Sequence, residues 1–247
     1  AEYASNTPRN PVFGTSTYAI RGCDGVFGNV DTAADIASLT CGSTGPDSIA
    51  ISYEADPYNT IKTSGGLATD CLGVNLPVIT GSVNKWNGAS STAAAVTYTV
   101  ADNRFFVGTS GVVTAPSLYC KGNGTSSTKQ PLVENIEDLQ FIYGAAPPAA
   151  TTTMSVGGYL NATELLSNTD LAIAGVTSEP AKWGKAMVVR VCVLVRSEAL
   201  IAPNPDSANY ISCPTNAAST GTFTIAPDLH LRRAYSTTIV LRNRITP

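Results

Sequence analysis

Six cysteines, Cys23, Cys41, Cys71, Cys120, Cys192 and Cys213, limit what this chain can fold into more than any other feature. The set is even, and no two of its members form a C-x-x-C pair. Structural zinc sites use closely spaced ligand pairs, and His230 is the only histidine available to complete one. The pattern points to disulfides and an oxidising compartment. Many connectivities are open; pairing of sequence neighbours is the expectation, Cys23 with Cys41, Cys71 with Cys120 and Cys192 with Cys213. Loops of that size stabilise by roughly 3–4 kcal/mol each on the chain-entropy account.

A stapled chain needs a sheet or helix framework, and the composition favours sheets. Apolar residues make up 43% and charged residues only 13%, with Thr, Ser, Asn and Gly standing in for Lys and Glu. That balance suits exported β-proteins. A net charge of -3 argues against a general binder of polyanions. The 247 residues suffice for a sizeable core and are read as one globular domain over 1–247. No apolar run reaches the roughly 18 residues of a membrane span, and no signal peptide is visible. Disulfides without an export signal lead us to expect that the natural beginning of the chain is missing.

Period-two alternation marks strands in "SIAISYEA" (Ile49, Ile51, Tyr53), in "APSLYC" and above all in "MVVRVCVLVRS". In the last of these, Met187, Val189, Val191, Val193 and Val195 face one way, and Val188, Arg190, Cys192, Leu194 and Arg196 the other. "AAAVTYTVADNRFFVG" reads as a hairpin turning at Asp102-Asn103. "PLVENIEDLQFIYG" reads as helical turns opened by Pro131, with Leu132, Val133, Ile136 and Leu139 on one face, feeding into a strand. Short helices are expected in "DTAADIASLT", capped by Asp31, and in "NATELLSN", capped by Asn161 with Glu164 three residues on. The fold class is therefore α+β and β-dominated: antiparallel sheets, a few short helices and stabilising disulfides.

Four arginines, Arg232, Arg233, Arg242 and Arg244, crowd the end "RRAYSTTIVLRNRITP". A polybasic tail would not carry alternating Tyr235, Thr237, Ile239 and Leu241 between its charges. This is a closing strand. Arg242 and Arg244 fall on one face of its alternation, as Arg190 and Arg196 do on theirs, and two neighbouring strands would give a stripe of guanidinium groups balanced by carboxylates such as Glu134, Glu137 and Asp138.

Catalytic constellations are poorly supported. His230 lacks a G-x-S-x-G nucleophile elbow. Glu54, Asp56, Asp70 and Asp138 offer carboxylates but no reason to choose a pair. No phosphate loop, calcium loop or metal set is present, and no cofactor is expected. Asn123 and Asn161 fit a glycosylation pattern that chance alone supplies in a chain this rich in Asn and Thr. Trp86 and Trp183 stand in loop-like contexts where a carbohydrate or adhesion patch is conceivable, with partly buried tryptophans as the plainer reading.

Three stretches resemble the PilW-type minor pilins of bacterial type IV pili: "DSIAISYEA…DCLG", "SLYCKGNG…QPLVENIEDLQFIYG" and "RRAYSTTIVLRNR". The resemblance covers about residues 47–244. It implies a pilin-like or J-pseudopilin-like head without its amino-terminal transmembrane helix, anchored in the inner membrane of a Gram-negative bacterium with a periplasmic head, and later extracellular in the pilus. It also implies a structural role, not an enzymatic one, in the tip or priming complex that starts pilus assembly, serving adhesion, twitching motility and DNA uptake. The implied partners are PilV-, PilX- and FimT/FimU-like minor pilins, the major pilin and a large tip adhesin; nucleic acid is not favoured as a partner. The alternatives are a J-type minor pseudopilin of type II secretion, a surface-binding adhesin or DNA receptor, and an exported hydrolase.

Overall fold

The structure is a computed structural model describing residues 18–86, 91–110, 112–147 and 155–241, with the backbone alone over 82–86 and 91–93. Two antiparallel sheets organise it. The first sheet runs β1 (Ile20–Cys23), β2 (Ser48–Ala55), β4 (Ser91–Gly108), β5 (Ser117–Lys121) and β6 (Gln130–Glu134), with β3 (Val78–Trp86) on the first half of β4. The second sheet runs β12 (Arg232–Val240), β9 (Ala186–Arg196), β7 (Ile136–Ala145) and β8 (Gly158–Leu160). A small ribbon, β10 (Tyr210–Ile211) and β11 (Phe223–Thr224), stands beside them. The helices are short: α1 (Ala162–Ser167), α2 (Thr169–Ile173), α3 (Glu179–Trp183) and α4 (Pro205–Ala208). The chain is thus β-dominated α+β with antiparallel sheets.

Strands β2, β5, β9 and β12 lie where alternation places them, and α1 carries the capping box of Asn161 and Glu164. Three local expectations fail, each because tertiary partners override a local signal. Asp102-Asn103 is no turn: both residues are buried inside the 18-residue strand β4. The Asp102 carboxylate accepts from Arg104 Nε and Nη2 at 3.2 and 3.0 Å, and Arg104 Nη1 donates to the carbonyls of Val30 and Ala33. Asn103 Oδ1 accepts from Cys71 N. With these partners, turn-forming side chains are tolerated in mid-strand.

Residues 131–139 form no helix. Pro131 lies on β6, an edge strand where its missing donor costs nothing. Asn135, at φ 64, turns the chain out of the first sheet and into the second. The apparent helical spacing of Leu132, Val133, Ile136 and Leu139 is two strands read across that corner. The third failure is the helix of Asp31: only a 3-10 turn forms, Ile36–Ser38, capped by Asp35. Asp31 instead meets Lys129 Nζ at 2.5 Å.

The sheets share a core that includes Ile20, Ile49, Phe106, Tyr119, Leu139, Tyr143, Leu165, Trp183 and Val189. Trp183, entertained above as a surface aromatic, is fully buried and meets Tyr143 edge-on with centroids 4.8 Å apart. The Trp86 side chain lies outside the described residues, as do Arg242, Arg244 and residues 148–154. Gly22 leaves room for this pair: a Cβ there would lie 1.9 Å from Tyr143 Oη. Gly22→Ala should therefore cost about 2 kcal/mol through overpacking. Tyr143→Phe in the same chain should recover part of that loss, and equal denaturation midpoints for the single and double variants would contradict the contact.

Asp47 seams the sheets together just before β2. Its N–H donates to Leu139 O and its Oδ2 accepts from Phe141 N, both at 2.8 Å. Burial lifts its pKa to about 7 from an ordinary 3.8, aided by Asp24 and Asp138 and opposed by the N–H groups of Phe141 and Gly25. A folded-state pKa above the unfolded one means stability that is full below pH 3.8 and is lost as pH rises toward 7. Asp47→Asn keeps an acceptor for Phe141 but cannot ionise. Denaturant titrations between pH 4 and 7 should show the parent losing up to about 1.4 kcal/mol per pH step relative to the variant; parallel profiles would refute the assignment.

Candidate functional site

The β9–β12 pair presents an open sheet surface, with most of β12 exposed. The register runs without a bulge from Arg232↔Arg196 to Val240↔Val188. On one side lie Val191, Val193 and Val195 with Tyr235, Thr237 and Ile239. On the other lie Arg190, Cys192 and Leu194 with Ala234, Ser236 and Thr238.

The first of these sides begins as core at Val189 and opens outward. Val191, Val193 and Val195 are half-buried, while Tyr235 is 57% and Ile239 51% exposed. The closing strand is thus a strand, as its alternation requires, but a margin and not an inward-packed rung. Beyond its ladder with β9, side chains tie down both of its ends. Leu241 packs against the core and its N–H donates to Met187 O at 2.8 Å.

The other end is held by a buried charge knot. Arg232 is 2% exposed at its side chain. Its Nε donates to Glu137 Oε2 at 2.5 Å and Nη2 to Oε1 at 2.9 Å. Nη1 and Nη2 donate to the two oxygens of Asp228 at 2.7 and 3.1 Å, and Nη1 also to His230 O. All five guanidinium donors can be used in this cage. Arg196 adds a contact to Glu137 Oε1 at 3.5 Å and donates to Asn135 Oδ1. The β7–β9 register shifts between Ile136 and Asp138, so Glu137 is the bulged residue whose side chain is re-aimed at the arginines. Hydrogen bonds from Arg232, opposed by burial and aided by the His230 N–H, pull Asp228 down to about 2, and the same hydrogen bonds raise Arg232.

The described arginines of this strand pair are therefore part structure, part surface. Arg232 and Arg196 are neutralised by Glu137 and Asp228, whereas Arg190 is exposed and lies 3.7 Å over the Tyr159 ring. Arg233, also exposed, lies over Tyr235. Asp228 escaped sequence reasoning because it lies in an irregular loop; its spacing four residues before Arg232 was the one signal.

A strap covers the second side. Cys192–Cys213 ties the excursion after β9 onto the sheet, while Cys23–Cys41 and Cys71–Cys120 staple the first sheet and its loops. Between strap and β12 runs a cavity of about 240 Å³ with a mixed, largely apolar wall, bordered among others by Gln140, Ile142, Arg190, Pro214, Asn216 and Thr238.

The remaining sequence candidates do not converge. His230 Nδ1 bonds Ser197 O at 2.8 Å. Asp56 accepts from Tyr58 N and Asn59 N. Asp70 accepts from Leu72, Val74 and Gly124 N–H groups, and Asp138 from Gln140. Glu54 is exposed on β2, and Glu134 on β6. The Asn123 and Asn161 side chains are committed, to Asp102 N and Val100 O and to Glu164 N. Among the described residues no cluster of potential metal ligands occurs and no helix is long and apolar enough to cross a membrane.

The family model for type IV pilus-assembly protein W matches residues 104–243 of this chain. Among solved structures, a type IV-like pilin from Thermus thermophilus is similar to it at 11% identity, with 83% of this chain and 82% of that one covered and a TM-score of 0.38. No curated protein matches.

Proposed function

Because the chain belongs to the type IV pilus-assembly protein W family, we propose that it works as a minor pilin, docking to sister minor pilins in the tip or priming complex that starts pilus polymerisation. The family match carries this reading, since it spans the end of β4 through β12 and so includes the surface just described. An exposed, half-apolar sheet margin on a disulfide-stapled body is suited to packing against other subunits. Adhesion, twitching motility and DNA uptake would follow from the pilus so built, and the inner membrane, periplasm and pilus are the places it would occupy. The same chemistry would serve a J-type pseudopilin, and the genes beside this one separate the two.

A surface-binding module receives less support. Trp183 is buried and Arg232 neutralised, so neither presents an aromatic or cationic patch. The test is co-expression of the chain from its native gene with PilV-, PilX- and FimT/FimU-like subunits, followed by detergent extraction and sizing. Elution in a complex with at least one of them is expected; elution alone would overturn the reading.

A further inference from the structure

We infer that the outer edge of β12 is a strand-addition site, at which an extended segment of a different pilus subunit extends the second sheet over Ser236–Val240. The identity of the partner rests on the function proposed above; the vacancy of the edge does not.

Backbone parity defines the site. Ser197 N–H donates to Leu231 O, and Leu241 N–H donates to Met187 O, at either end of a register without shifts. In an antiparallel ladder such hydrogen-bonded pairs alternate, so the odd-numbered residues of β12 bond β9. The N–H and C=O groups of Ser236, Thr238 and Val240 then point away from it. No described strand pairs with that edge. Ala234, nearer the charge knot, packs beside Tyr210 of the strap, so the open stretch begins after it.

Proteins blunt such edges with proline, lysine, bulges or short length, and this chain does so elsewhere. β6 carries Pro131 and Glu134, β8 has three residues, β1 four, and β3 includes Gly81 and Lys85. β12 has nine residues, no bulge, and the uncharged run Ala234–Val240, rich in β-formers. Among the described edge strands the unprotected edge is thus the exception, which is how a docking edge differs from an ordinary one.

Charge selects the occupant. The cavity on one side of the edge has Arg190 as its only charged border residue. Among the described residues neither Arg190 nor Arg233 has a carboxylate partner within ion-pair distance. A second copy of β12 fits poorly, because residues 231–247 contain no Asp or Glu that could meet Arg190 or Arg233. The fitting strand alternates: a carboxylate over the cavity beside Arg190, and β-branched or aromatic side chains along Tyr235 and Ile239.

Thr238→Pro tests this, because it removes an outward donor while leaving the inner ladder intact. Arg190→Glu, at an exposed position, is the second variant should the proline disturb folding. The chain is expressed from its native gene in piliated cells, and pilus subunits recovered with it from detergent are quantified. Each variant should recover at least tenfold less of one subunit while its soluble domain melts like the parent. A photo-crosslinker at Val240 should join that same subunit. Undiminished recovery with both variants would overturn the edge site alone, as would a crosslink to residues 1–17, to a second copy, or to nothing. Failure of the parent chain to recover any pilus subunit would overturn the function as well.

Discussion

Reducing all three disulfides should unfold the protein at room temperature. The bridges span 18, 49 and 21 residues, and the chain-entropy account assigns loops of that size about 3, 4 and 3 kcal/mol. Their sum is comparable to the whole stability of an ordinary domain, about 5–15 kcal/mol. The loss falls where secondary structure is thinnest. Cys71–Cys120 anchors the long turn-rich connection from β2 to β3 onto β5, and Cys192–Cys213 holds the strap. Near-ultraviolet circular dichroism with and without reductant reads the outcome. A native spectrum after complete thiol exposure would show that packing alone sustains the sheets.

The second large effect is expected at Arg232. Arg232→Met leaves Glu137, which is 19% exposed at its side chain, with only the longer contact from Arg196. Removing one partner of a buried pair costs about 3–5 kcal/mol, because the other charge is stranded. Asp228 is more exposed, so solvent screens its share. The lower figure is therefore the better expectation. Arg232→Met with Glu137→Gln should lose markedly less than the sum of the single changes, and additive losses in urea titrations would deny that the two form a unit. The damage should spread to the start of β12, and with it to the neighbouring docking edge.

The sequence discloses the parts governed by local rules. Alternation marks β2, β9 and β12, and Asn161 with Glu164 marks α1. It misleads where distant groups decide. Asp102 and Asn103 look like a turn until Arg104 and Cys71 are brought beside them, and Asn135 hides a corner inside an apparent helical period. That Arg190, Arg196 and Arg232 lie on strands was legible; that Glu137 alone of the three suggested carboxylates would meet Arg196 and Arg232 depended on a bulge. Nor does alternation tell a core strand from a margin: Tyr235 and Ile239 have the pattern of buried residues and lie half in solvent. Family membership was legible because two of the three resembling stretches fall almost wholly within the matched residues 104–243.

Counting surface pili by electron microscopy, in cells lacking this gene and in cells given it back, tests the assembly role most directly. A subunit that docks at the priming step should be needed for normal pilus number, so the account predicts few or no pili without the gene and recovery on its return. Parental pilus numbers in the deleted strain would contradict it.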